Sequence, residues 1–114
     1  MTPNNIAKTI QQQMLMVGMP IIMSWGTTNY QSMSEEKLKS FEITGMGALK
    51  FKVNGMKFKG HVLVVLNFID TYDVYFGNIR KDIFKITKIM NDVYCEELGQ
   101  VIDNYIEKQA NYQF

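Results

Sequence analysis

The stretch Leu49-Lys50-Phe51-Lys52-Val53-Asn54-Gly55-Met56-Lys57-Phe58-Lys59-Gly60-His61-Val62-Leu63-Val64-Val65-Leu66 decides the fold. From Leu49 to Val53 apolar and basic residues alternate, which is the period of a strand with one buried face. Asn54-Gly55 follows, a dipeptide suited to a two-residue type I′ hairpin because both central positions need positive φ. Such a turn predicts Val53 opposite Met56, Phe51 opposite Phe58 and Leu49 opposite Gly60. It also sets Lys52 against Lys57 and Lys50 against Lys59 on the other face. The second strand continues through Val62, Val64 and Leu66, with Leu63 and Val65 apolar on the reverse. Apolar residues on both sides mark a central strand that something covers on each face. Whether the first helix or a second subunit covers the reverse is left open by the pattern.

Outward from this hairpin, a connection through Phe68, Ile69 and Asp70 pairs Leu66 with Tyr72, Val64 with Val74 and Val62 with Phe76, keeping apolar against apolar. On the N-terminal side, Phe41 and Ile43 share the register of Leu49, Phe51 and Val53, with Gly45 and Gly47 marking a bulge or bend. Gly26 to Ser40 is polar and reads as the longest loop. Pro20 to Trp25 reads as a short edge strand, since the proline at its start cannot donate to a ladder. Thr2 as N-cap, Pro3 at the first helical position and Gly18 as a stop frame a helix whose stripe is Ile6, Ile10, Met14 and Val17.

Beyond Gly77, the residues Ile86, Ile89, Met90, Val93, Tyr94, Leu98, Val101, Ile102, Tyr105 and Ile106 recur at helical spacing and predict an amphipathic C-terminal helix, with Thr87 as its cap. The alternative for Asp82 to Ile86 is a short fourth strand. The elements add up to an α+β fold in one domain, 1–114. An antiparallel three- or four-stranded sheet is flanked by an N-terminal and a C-terminal helix, in α-β-β-β-β-α order.

A chain of 114 residues can bury one hydrophobic core. Its net charge of +1 makes the whole neither a polyanion mimic nor a strongly basic nucleic-acid binder, so an electrostatic partner has to be read locally. Cys95 is the single cysteine and nothing has zinc-ligand spacing, which points to a reducing cytoplasm with no metal and no cofactor. Met1 to Asn5 lacks the pattern of a secretory signal, and the apolar runs Met14 to Trp25 and Val62 to Leu66 are too short or too interrupted to span a bilayer. No membrane partner is expected.

Two charged patterns are candidate functional surfaces. Lys50, Lys52, Lys57 and Lys59, with His61 and Tyr75 on the same outer face, offer ammonium groups for phosphates and a ring on which a base can stack. The ordinary alternative is a solubilising lysine face that discourages edge pairing. In the predicted helix, Asp92, Glu96, Asp103 and Glu107 form an acidic stripe whose i,i+4 pairs repel. Cys95 and His61 are too far apart in sequence, and too unsupported by a third member, to be read as nucleophile and base. No enzyme class is indicated.

Three segments, Lys8-Thr9-Ile10-Gln11-Gln12-Gln13, Asp70-Thr71-Tyr72-Asp73-Val74-Tyr75-Phe76 and Val93-Tyr94-Cys95-Glu96-Glu97-Leu98, resemble a family of short uncharacterised proteins from bacterial phages and mobile elements. The resemblance implies a phage- or mobile-element-encoded protein acting in the bacterial cytoplasm, and it implies no activity. The expectation is a non-enzymatic accessory or interaction module that binds a protein partner or itself. One alternative is a single-stranded nucleic-acid-binding accessory protein using the lysine face. A second, drawn from the phage context, is an inhibitor of a host defence enzyme.

Overall fold

The computed structural model describes residues 3–15, 25–55, 57–81 and 83–106. Helix α1 (Pro3–Met14) leads to strand β1 (Thr28–Ser34), the five-residue helix α2 (Glu35–Lys39), strands β2 (Gly47–Asn54), β3 (Lys59–Leu66), β4 (Tyr72–Arg80) and β5 (Ile83–Val93), a 3-10 turn (Cys95–Glu97) and helix α3 (Leu98–Ile106). The five strands form one antiparallel sheet in the order β1-β2-β3-β4-β5. The class is α+β with a helix at each end of the chain, and the sheet has five strands rather than three or four. Thr2, Val17, Gly18 and most of the predicted Pro20 to Trp25 edge strand lie outside the described residues.

The inner face of the sheet carries the larger core. Leu49, Phe51 and Val53 of β2, Val62, Val64 and Leu66 of β3, and Tyr72, Val74 and Phe76 of β4 are buried against Ile6, Ile10 and Met14 of α1 and Leu98, Ile102 and Ile106 of α3. Both helices present an apolar stripe at the spacing that a sheet requires. Trp25 is fully buried and stacks on Phe51 with ring centroids 6.5 Å apart, while its indole N–H donates to the buried Asp103 carboxylate at 2.9 Å. A buried indole nitrogen needs such an acceptor.

The outer face has a smaller core. Ala48, Leu63 and Val65 are covered by Met33, by Leu38 of α2, by Ile43 from the turn that follows α2, and by Phe84 of β5. Within the chain, the cover on the reverse of β3 therefore comes from Met33 of β1, from the segment between β1 and β2 and from Phe84 of β5, and not from α1. Two expectations are corrected here. Gly26 to Ser40 is not a loop, since it holds β1 and α2, and Phe41 and Ile43 belong to the outer layer, not to the strand register of Leu49 and Phe51. Strand β1 escapes a periodicity reading because it is an exposed polar edge in which Met33 alone is buried.

The β3–β4 register agrees with the sequence reading: Leu66 faces Tyr72, Val64 faces Val74 and Val62 faces Phe76. The β2–β3 register does not. Val53 faces Gly60, Phe51 faces Val62 and Leu49 faces Val64, so Asn54 is the last paired residue, opposite Lys59, and a longer turn opens at Gly55, whose N–H donates to the Phe58 carbonyl at 3.0 Å. The physical reason is tertiary. The loop's Lys57 and Phe58 N–H groups donate to the Ile106 carbonyl at 2.7 and 3.3 Å, satisfying an acceptor at the C-terminal end of α3. Phe58 also packs edge-on against Phe76, at 5.6 Å between centroids.

The other correction concerns Ile86, Ile89, Met90 and Val93. They lie in β5, not in a helix, and α3 begins only at Leu98. Register shifts in the β4–β5 pairing fall around Thr87 and around Asn91-Asp92. Each extra residue stretches a same-face spacing from two to three, so Ile86 and Ile89 share the outer face and Met90 and Val93 the inner one, and the two pairs together read as i, i+3, i+4, i+7. Thr87 Oγ1 donates to the Phe76 carbonyl at 3.0 Å, and Asp92 takes φ of +58° with its N–H on Asp73 Oδ1 at 3.1 Å.

Candidate functional site

Strand alternation puts Lys50 and Lys52 on the outer face while Phe51 and Val53 are buried on the inner one. The register sets Lys52 opposite His61, Lys50 opposite Leu63 and Lys59 opposite Asn54. The expected pairs of Lys52 with Lys57 and Lys50 with Lys59 do not form, because the turn is displaced. Lys57 sits in the loop with its backbone engaged by α3. Lys50, Lys52, Lys59 and His61 nevertheless share the outer face, and Tyr75, opposite Leu63, joins them from β4.

Helix α2 adds a cation that the sequence reading missed. Ser34 caps α2, its Oγ accepting from the Lys37 N–H at 3.2 Å, with Glu35 and Glu36 in the first turn and basic residues in the last. That arrangement suits the helix dipole, and Ser34-Glu35-Glu36 ahead of Lys37 and Lys39 is the signal that could have found it. Lys37 faces Lys50 across a cleft of about 450 Å³ lined by Gln31, Met33, Lys37, Ser40, Phe41, Lys50 and Ile79. No carboxylate is among the described lining residues. Burial, and then the Lys37 ammonium, hold the Lys50 amine below its ordinary pKa.

The same field reaches His61. Burial first, then Lys50 and Lys52, hold its imidazole below the ordinary histidine pKa, and its Nδ1 is buried with no hydrogen-bond partner. Burial and then Asp73 push the Tyr75 phenol up. The outer face thus gathers the charges of Lys50 and Lys52 near a ring nitrogen that has no hydrogen-bond partner, with Asp73 further along beside Tyr75. Among the described residues, a second basic group, Arg80, Lys81 and Lys85, lines the β4–β5 turn.

The predicted acidic stripe is taken apart. Asp92 lies in the β5 bulge, Glu96 in the 3-10 turn, Asp103 is buried under Trp25, and Glu107 is outside the described residues. Cys95 is exposed, and its thiol donates to the Glu96 carboxylate at 3.4 Å. That hydrogen bond is the main cause that pushes its pKa up, which disfavours the nucleophilic thiolate. Cys95 follows β5 at one end of the sheet while His61 lies toward the other, so the two are not brought together. Among the described residues no three His, Cys, Asp or Glu side chains are grouped to hold a metal ion, and no helix is long and apolar enough to cross a membrane.

Fold and site together define an α+β protein built on a five-stranded antiparallel meander, with two helices on its inner face and a basic cleft on its half-covered outer face. In comparisons with known proteins, no family model, no curated protein and no solved structure matches the chain.

Proposed function

We propose that this protein is a non-enzymatic accessory module that binds single-stranded nucleic acid on the basic half of its outer sheet face. The carrying observation is the pair Lys37 and Lys50 in a cleft with no carboxylate among its described lining residues, with Lys52 and His61 further along the same face. Like charges held together raise the free energy of the unbound protein, and a polyphosphate chain relieves that repulsion. Phe41 in the cleft and Tyr75 beside it supply rings on which bases stack, worth about 1–3 kcal/mol each. The bacterial cytoplasm and a phage or mobile-element origin belong to this reading on the sequence resemblance alone.

Fluorescence anisotropy with a labelled single-stranded oligonucleotide tests it. About four phosphate contacts give a slope near −3 in log K against log salt. Lys37→Glu with Lys50→Glu abolishes the signal at low salt while the protein stays folded. Absence of saturable binding at low salt, or binding indifferent to that double substitution, refutes the reading. A second reading, engagement of a protein partner, draws on the two ends of the sheet and not on its outer face. Acidic residues with exposed apolar side chains collect at one end, and basic residues collect at the other.

A further inference from the structure

Every second residue of β2 points to the outer face, and between Ala48 and Lys50 that face changes character. Ala48 is buried with Leu63 and Val65 beneath Leu38 of α2 and Ile43 of the turn after it. From Lys50 onward the face is basic: Lys52 lies opposite His61, and Lys59 lies opposite Asn54 at the end of the strand. In the other direction the row of Ala48 and Val65 continues to Asp73, a carboxylate. The basic strip is therefore open toward the β2–β3 turn and closed at its other end by apolar cover and negative charge.

The cleft of about 450 Å³ stands at that closed end, within the size range of small-ligand sites. Lys37 and Lys50 bring two ammonium groups to it, and its described lining has no carboxylate. Lys37 is held by its short helix: Ser34 Oγ accepts from its N–H at 3.2 Å, and its carbonyl accepts from Ser40 Oγ at 2.6 Å. Phe41 and Ile79 give apolar walls, with the Phe41 ring braced on Phe84 at 5.5 Å between centroids, and Gln31 adds a side-chain amide. An internal phosphodiester carries a single negative charge, and its chain has to leave the site on both sides. A terminal phosphate monoester carries about −1.5 to −2 near pH 7, and its chain leaves on one side only. Two ammonium groups at the closed end of a basic strip match the monoester and not the diester.

We propose that the Lys37–Lys50 cleft takes the phosphorylated end of a single strand. The terminal phosphate monoester sits between the two ammonium groups, the terminal base lies against Phe41, and the following phosphates run along Lys52 toward Lys59. This inference rests on the nucleic-acid reading above and narrows it from any single strand to one that ends in a phosphate. A 5′ and a 3′ phosphate present the same recognising chemistry, and the experiment separates them.

Direct anisotropy titration of four internally labelled oligonucleotides, at about 50 mM salt where surface charges are weakly screened, tests this. The four share one sequence and differ in their ends: hydroxyl at both, 5′-phosphate, 3′-phosphate, or closed into a circle. The expected result is that at least one phosphorylated form binds about tenfold more tightly than the hydroxyl form, as one added charge-assisted contact allows. The circle binds no more tightly than the hydroxyl form, and the form that gains names the end. Lys37→Gln with Lys50→Gln brings all four to the same affinity, whereas Lys52→Gln weakens all four and keeps the ratio. Lys37→Gln alone replaces the double variant if near-ultraviolet circular dichroism shows the latter unfolded, and it removes most of the ratio. Equal affinity for all four forms in the wild type, or a ratio that survives loss of the lysines, overturns the proposal and leaves the nucleic-acid reading standing. Absence of saturable binding by every form overturns both.

Discussion

The two faces of one sheet are put to different uses. Along β3, Val62, Val64 and Leu66 enter a core closed by two helices and the ring stack of Trp25 on Phe51, while Leu63 and Val65 enter one closed by α2 and its following turn. From β2 across β3 to Phe76 of β4 the inner face is spent on burial. The outer face is covered only where Met33, α2, its turn and Phe84 reach, and the rest holds Lys50, Lys52 and His61 with no carboxylate among the described residues of the neighbouring cleft lining. Stability and recognition are thereby assigned to opposite sides of the same strands, and substitutions at adjacent positions of β2 should separate them.

The largest effect is expected on the inner face. Phe51→Ala removes a fully buried ring from between β2 and the helices and lowers unfolding free energy by about 3–5 kcal/mol, read from a shift of the urea midpoint. A midpoint shift smaller than that of an ordinary surface substitution would break the assignment of the main core to this face. Next is Gly45→Ala, which tests the thinner cover. A Cβ at Gly45 meets Val65 Cγ1 and lies 3.2 Å from the Leu66 carbonyl oxygen, so the turn after α2 is forced off the sheet. The expected loss is about 1–3 kcal/mol, with faster hydrogen exchange confined to α2 and its turn.

The same comparison shows what could be read from sequence. The β3–β4 register followed from apolar matching because both strands are central and buried, so that a slip would expose Val64 or Val74. The β2–β3 turn was misread because Asn54-Gly55 is a strong local signal overruled by a distant partner, the Ile106 carbonyl that accepts from Lys57 and Phe58. Strand β5 looked helical because its bulges at Thr87 and Asp92 convert one period into the other. Of the candidate basic face, Lys50, Lys52, Lys59, His61 and Tyr75 were legible from alternation alone. Lys37 was not, since its place beside Lys50 depends on how α2 folds back over the sheet.

Moving one residue along β2 from Phe51, Lys50→Met is expected to leave stability within about 0.5 kcal/mol of the parent, because relief of repulsion with Lys37 offsets any lost packing of the stem. Oligonucleotide affinity at low salt falls several-fold in the same variant. A stability loss comparable to that of Phe51→Ala would show that the lysine stem, and not its charge, is what the site uses.

The smallest effect is also the one that reports on the site in its own place. Burial, with Lys50 and Lys52 behind it, holds the folded-state pKa of His61 below the unfolded value of about 6.5. Above that value the ring is neutral in both states and the protein has its full stability. As pH falls through it the unfolded chain takes up the proton first, so stability declines until the folded pKa is passed. His61→Gln removes this dependence, and its stability between about pH 7 and pH 5 should fall less than that of the parent. The ring stays partly open to solvent, so the difference is a modest slope, not a transition. A bound anion reverses the sign of the local field: phosphates over Lys50 and Lys52 stabilise the imidazolium and raise the pKa. Proton NMR titration of His61, the single histidine, should therefore show its midpoint moving up when the oligonucleotide is added. A midpoint unmoved by saturating oligonucleotide would place the ligand away from this face, even if the protein binds it.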